Sequence, residues 1–163
     1  MVRAYIVSTG MAVPDRVLTN HDLEKIVDTS DAWIRERTGM AERHVSDENT
    51  AASDLALPAS RDALRAAGIS PDDLDAILVA TISGDYVFPA TACVLQHKLG
   101  ASHAMAFDLS AACTGYIYGL SVAQAYIESG RYKNILLVGV DMLTKVVDWT
   151  DRNTCVLFGD GAG

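Results

Sequence analysis

Along this chain, continuously apolar runs alternate with stretches in which apolar residues return every third or fourth position. "DAILVATIS", "HAMAF" and "NILLVGV" are runs of the first kind. A short apolar run without polar alternation fits a strand covered on both faces. The stretches between them are helical in pattern. Ala52, Leu55, Ala59, Ala63 and Ala67 recur between Thr50 and Ala67, and Gly68 ends that helix. Pro58 lies inside it and predicts a kink or a local defect. "TACVLQHKLG" reads as a helix stopped by Gly100, and "TGYIYGLSVAQAYIESG" as one closed by Gly130. Nearer the start, "RAYIVSTG" (Arg3–Gly10) predicts a strand. "TNHDLEKIV" predicts a short helix capped by Thr19 or Asn20. "TSDAWIRERTG" predicts a second one, capped by Ser30 and stopped by Gly39. "AERHVSD" predicts a brief extended piece, and "TCVLFGDGAG" a last strand.

Strands alternating with helices predict an α/β domain with a mainly parallel sheet. The helix after Cys113 carries Tyr116, Ile117, Leu120, Ala123 and Ile127 and is apolar on most sides, which predicts a buried central helix. With 163 residues and no internal repeat, the chain suits one domain, residues 1–163, able to bury a core.

The net charge of -8 argues against nucleic acid as a partner, because phosphate binding needs clustered Lys and Arg. The first residues, "MVRAYIVSTGMAVP", lack the features of a signal peptide, and no stretch approaches the roughly 20 apolar residues of a membrane span. A cytoplasmic setting without a membrane partner is therefore expected. The three cysteines, Cys93, Cys113 and Cys155, form no C-x-x-C pair, which argues against a metal site or a disulfide framework.

Free cysteine is usually a small buried hydrophobe. Cys93, in a helical pattern, and Cys155, in a predicted strand, fit that role. Cys113 stands elsewhere, in "DLSAACTGYIYGL", where a predicted strand turns into a predicted helix. A helix N-terminus favours a thiolate, and Ala111, Ala112 and Gly115 leave room for a substrate. From the residues alone, the nucleophile and the gap-filling thiol stand level.

Four segments in order resemble the type III β-ketoacyl-acyl carrier protein synthases, thiolase-like condensing enzymes: "TSDAWIRERTGMAERH", "VATISGDYVFPATACVLQHKLG", "AFDLSAACTGYIYGL" and "DWTDRNTCVLFGDGAG". The resemblance covers nearly the whole chain. It implies the N-terminal half of a layered thiolase-like fold, with a mostly parallel sheet packed on a buried central helix. It implies condensation of a short acyl-CoA, acetyl-CoA first among them, with malonyl-acyl carrier protein through an acyl-Cys113. The products are 3-oxoacyl-acyl carrier protein and carbon dioxide. Trp33 and Arg152 match residues stacked on either side of the coenzyme A adenine. Arg37 matches a residue near its phosphates, and Thr29 one beside the nucleotide. Phe88 matches a residue that reaches across a homodimer into the partner's acyl pocket. No cofactor is implied, since acyl-CoA is a substrate. The family also uses a His and an Asn from a second half, and His21, His44, His97 and His103 match neither. Two other readings stay open: a related thioester-condensing enzyme of secondary metabolism, and a non-catalytic half-domain that binds coenzyme A.

Overall fold

The computed structural model describes residues 2–163. β1 (Val17–Thr19) pairs antiparallel with β2 (Glu42–His44). Between them run α1 (Asn20–Leu23) and α2 (Asp31–Thr38). Thr19 is the cap of α1: its hydroxyl accepts from the Asp22 N–H, while the Asp22 carboxylate accepts from the Thr19 N–H, each at 3.2 Å. Ser30 caps α2 by accepting from the Trp33 N–H at 3.2 Å, and Gly39 ends it at φ 75°.

The rest is one mixed sheet with helices on both faces. α3 (Ala52–Ala67), β3 (Ala76–Ala80), α4 (Thr91–Leu99), β4 (Met105–Leu109), α5 (Gly115–Glu128), β5 (Ile135–Met142) and β6 (Asp160–Ala162) follow in order. The strand order is β4-β3-β5-β6, with the first three parallel and β6 antiparallel to β5. On one face Ile77, Val79, Leu136, Val138 and Met142 pack under Leu55, Ala56 and Ala59 of α3 and Leu95 and Leu99 of α4. Fully burying each large side chain contributes about 1.5–3 kcal/mol. A second cluster, Leu18, Leu23, Ile34, Val45, Cys155 and Val156, holds the β1–β2 region. No helix among the described residues is long and apolar enough to cross a membrane.

The expected α/β class with a mostly parallel sheet is what forms, but three local expectations are corrected. The helix after Cys113, now α5, is not buried. Only Gly115 and Gly119 are, whereas Ile117 is 59% and Tyr118 55% exposed. One face lies close on the sheet: a Cβ on Gly119 would stand 2.5 Å from Leu137 Cδ1. Among the described residues nothing covers the other face, which holds Ile117 and Tyr118. Arg3–Gly10 forms no strand, because a strand needs a partner and among the described residues none pairs with it; the bridge nearby is the single one from Ala12 to Ala162. The last strand is confined to 160–162. Residues 152–157 are turns, and Cys155 lies buried in them rather than in a strand. The Asp151 carboxylate starts those turns by accepting from the Asn153 N–H at 2.9 Å and the Thr154 hydroxyl at 2.8 Å. α3 runs from Ala52 to Ala67 with Pro58 inside it.

Candidate active site

β3 and β4 end side by side, with Ala80 opposite Leu109 and the Thr81 N–H donating to the Leu109 carbonyl at 3.1 Å. The loops leaving this edge carry two of the predicted residues. After β4 the chain makes a tight 3-10 turn, Ala112–Thr114, and enters α5. Ala112 sits at φ 47°, in the left-handed region, a conformation that costs a residue with a Cβ on the order of 1–2 kcal/mol. The turn leaves Cys113 exposed. The N–H groups of Ala112 and Cys113 have no main-chain acceptor among the described residues, while the Thr114 N–H donates to Ala111 at 3.2 Å. A free N–H beside an exposed thiol can bind the oxygen of an attacked carbonyl. From the neighbouring loop, Phe88 projects into solvent at 88% exposure.

Three carboxylates that sequence reasoning passed over fasten this edge. Asp108 of β4 accepts from the Thr91 and Ala92 N–H groups, both at 2.7 Å, tying the start of α4 to the strand that leads to Cys113. Asp141 of β5 accepts from the Ile82 N–H at 2.9 Å and the Ser83 hydroxyl at 2.7 Å, fixing the root of the Phe88 loop. Buried Asp160 accepts from the N–H groups of Ser46 at 2.7 Å and Thr144 at 2.9 Å. Each closes an apolar strand or begins one, in "AFDL", "VGVD" and "FGDG". A lone acid in such a run was the available signal.

A second group forms on α2 and the 152–157 turns. The guanidinium of Arg152 lies 4.5 Å, and that of Arg37 4.8 Å, from the centre of the Trp33 ring. Arg152 Nε and the Thr29 hydroxyl are shielded from solvent yet have no hydrogen-bond partner. Arg43, also missed, ties this region together. It donates to the Leu18 carbonyl at 3.3 Å, the Asn20 side chain at 2.9 Å and the Val156 carbonyl at 2.9 Å. Burial pulls its guanidinium below the ordinary value, and burial likewise pushes the Cys155 thiol up.

The structure thus gathers Trp33, Arg37 and Arg152 and sets Cys113 and Phe88 on one sheet edge. No hydrogen bond or ring contact joins the two groups among the described residues. His44 is a structural contact to the Pro14 carbonyl, and His21 pairs with Glu24 at 3.2 Å. No cluster of three potential metal ligands occurs among the described residues. A cavity of about 450 Å³ lies elsewhere, between residues 4–10, α3, α5 and β5, and Cys113 does not line it.

A family profile described as 3-oxoacyl-[acyl-carrier-protein (ACP)] synthase III matches residues 107–163, the segment from the end of β4 through Cys113 to β6. The chain is 60% identical over 158 residues to beta-ketoacyl-[acyl-carrier-protein] synthase III 1 of Bacillus anthracis, covering 97% of this chain and 51% of that protein. Among solved structures, 3-oxoacyl-[acyl-carrier-protein] synthase III from Aquifex aeolicus VF5 superposes with a TM-score of 0.94 at 51% identity, over 99% of this chain and 52% of that one. The priming beta-ketosynthase from the R1128 polyketide biosynthetic pathway does so with a TM-score of 0.94 at 34% identity, over 98% and 48%. The chain spans about half the length of the curated relatives it matches. Given four ordered motifs, the shared sheet edge and these likenesses, the chain belongs to the 3-oxoacyl-acyl carrier protein synthase III family and corresponds to the N-terminal half of its members.

Proposed function

We propose that residues 1–163 form the nucleophile-bearing N-terminal half-domain of a cytoplasmic condensing enzyme that starts fatty acid synthesis. Cys113 is the nucleophile. Its thiolate attacks the thioester carbonyl of a short acyl-CoA, the Cys113 N–H steadies the developing oxyanion, and coenzyme A leaves as its thiolate. Malonyl-acyl carrier protein then loses carbon dioxide. The resulting carbanion attacks the acyl-cysteine, forming the new carbon–carbon bond and releasing Cys113. The donors that steady the malonyl enolate belong to the family's second half and lie outside these residues. The observation that carries this reading is the exposed Cys113 with its unengaged N–H, on a turn held at φ 47°.

Trp33, Arg37, Arg152 and Thr29 hold coenzyme A in this scheme. Arg152 already rests on the Trp33 ring, so an adenine enters between them only after that guanidinium swings outward. The unpartnered Arg152 Nε and Thr29 hydroxyl are then free to meet the nucleotide. Phe88, fully presented to solvent, reaches into the acyl pocket of a second copy in a homodimer.

The polyketide priming ketosynthase among the solved likenesses favours one further reading, a priming enzyme of secondary metabolism. Both readings share the Cys113 chemistry. The test is to incubate the chain with acetyl-CoA and read its intact mass. One acyl group per chain, absent from Cys113→Ala, is expected. Coenzyme A binding with no acyl transfer would overturn the nucleophile and leave a binding half-domain.

A further inference from the structure

The two walls of the proposed adenine site come from distant parts of the chain. Trp33 stands on α2, and Arg152 in the 152–157 turns. They touch through the Arg152 guanidinium on the Trp33 ring. An adenine that enters must part that contact, so something else has to keep the walls at a set separation. Apolar packing in the second cluster, Ile34 from one wall with Cys155 and Val156 from the other, brings them together. Such packing is non-directional and does not by itself fix a spacing.

A buried polar chain runs from one wall to the other. Asn20 donates from its side-chain amide to the Asp31 carboxylate and to the Met40 carbonyl, both at 2.8 Å. Asp31 opens α2 and Met40 follows its terminal Gly39, so one side chain holds both ends of the helix that carries Trp33. The Asn20 side-chain oxygen accepts from Arg43 Nη1, and Arg43 Nη2 donates to the Val156 carbonyl, each at 2.9 Å. Val156 belongs to the turns that carry Arg152. Turned over, the Asn20 amide would aim its NH2 at the guanidinium and its oxygen at the carboxylate, so its orientation is fixed. Among the described residues no hydrogen bond or ion pair joins α2 directly to these turns. Stability alone does not account for Arg43. It is buried without an ion pair among the described residues, and its Nε is shielded with no partner. An apolar residue of similar volume often serves stability as well as a buried charge does. What a guanidinium adds is a planar fork that holds two acceptors in one geometry.

We infer that Asn20 and Arg43 are positioning residues for the nucleotide: the chain Asp31–Asn20–Arg43–Val156 sets the gap that an adenine fills between Trp33 and Arg152. Neither touches the ligand. Both act through the main chain that bears the two walls. This rests on the reading of Trp33 and Arg152 as the adenine site. The Asn20 hydrogen bond, ahead of the Arg35 side chain, holds the Asp31 carboxyl below its ordinary value, so a carboxylate faces Asn20 at neutral pH. Asn20→Asp keeps nearly the same shape and the Arg43 bond, but sets two carboxylates against each other at the head of α2. Moving the charge, Asn20→Asp combined with Asp31→Asn, puts a donor opposite an acceptor again.

The test compares two acyl donors on the chain: acetyl-CoA, and S-acetyl-N-acetylcysteamine, a thioester without the nucleotide. Acetyl transfer to Cys113 is timed by intact mass. Asn20→Asp should raise the acetyl-CoA concentration needed for half-maximal rate by about three- to thirty-fold, as loss of the ring contact would. The maximal rate and the rate with the short thioester should stay as in the parent. The charge-moved double variant should recover most of the loss. Arg43→Lys, charged but without the fork, should repeat the defect, and it carries the comparison if Asn20→Asp does not fold. Equal slowing with both thioesters, or no recovery in the double variant, makes the pair merely structural and overturns the proposal. Parent-like use of acetyl-CoA by Asn20→Asp and Arg43→Lys, with Trp33→Ala impaired, overturns it and leaves the adenine site standing. If Trp33→Ala is parent-like too, the adenine site falls and the proposal with it. Calorimetric titration of coenzyme A into the same variants on a Cys113→Ala background reads the affinity without acyl transfer, so a failure of the nucleophile is told apart from a failure here.

Discussion

At the scale of single residues, Arg43 and Trp33 show two ways a cation is used. Arg43 is 4% exposed and gives its charge to neutral oxygens of Leu18, Asn20 and Val156, with no carboxylate beside it. Removing it strands three acceptors and opens a void. We expect Arg43→Ala to destabilise the chain by about 2–4 kcal/mol, read as a shift of the urea midpoint. Trp33 instead offers its ring to Arg37 and Arg152 near the surface. Trp33→Ala and Arg152→Ala should each weaken coenzyme A binding by about three- to thirty-fold, the equivalent of about 0.5–2 kcal/mol. Stability should move far less. Unchanged affinity in a calorimetric titration of both variants would remove the adenine site from this cluster. Trp33 and Arg152 were singled out in the sequence through resemblance. Arg43 was not, because "ERH" gives no hint that its guanidinium turns inward.

At the scale of elements, caps and stops were plain in the sequence: Thr19, Ser30, Gly39 and Gly100 all stand where their helices begin or end. The links between elements were not. α3 is joined to α4 by Lys98, which donates to Asp54 at 2.6 Å and to the Ser53 hydroxyl at 2.7 Å. The hydrogen bond from Lys98, then that from the Ala51 N–H, hold the Asp54 carboxyl below its ordinary value. A carboxyl depressed on folding stabilises the protein above its unfolded pKa, about 3.9. That contribution is lost as pH falls through the lower, folded value. Asp54→Asn should therefore flatten the acid limb of stability below about pH 4. Urea midpoints taken from neutral pH downward measure it, and an acid limb as steep as in the parent chain would exclude this pair as a contributor.

At the scale of the whole molecule, apolar surface decides behaviour. Val87, Phe88, Ile117 and Tyr118 are exposed around the sheet edge, and Tyr5, Ile6 and Val7 in the segment that lines the cavity beside α3. Contiguous patches beyond a few hundred Å² invite association. The chain should sediment as dimers or larger species at micromolar concentration. Val87→Ser combined with Phe88→Ser should shift it toward monomer, with a stability change within about 0.5 kcal/mol, as for other surface changes. A monodisperse monomer of the parent chain would contradict this.

The sequence by itself determined what local physics can decide. Apolar runs marked β3, β4 and β5, helical spacing marked α3, α4 and α5, and the small residues around Cys113 marked a strand-to-helix junction. Only the tertiary structure decided what depends on partners. The all-round apolar pattern of α5 could not say that just one of its faces has sheet beneath it. The pattern of Arg3–Gly10 was that of a strand, yet its hydrogen bonds need a neighbour, and among the described residues none pairs with it. The final run broke into turns because the Asp151 carboxylate captures nearby N–H and O–H groups before a ladder can form. Periodicity reports which surfaces are apolar. Whether another element lies against them is set by contacts between residues distant in sequence, which a local pattern does not encode.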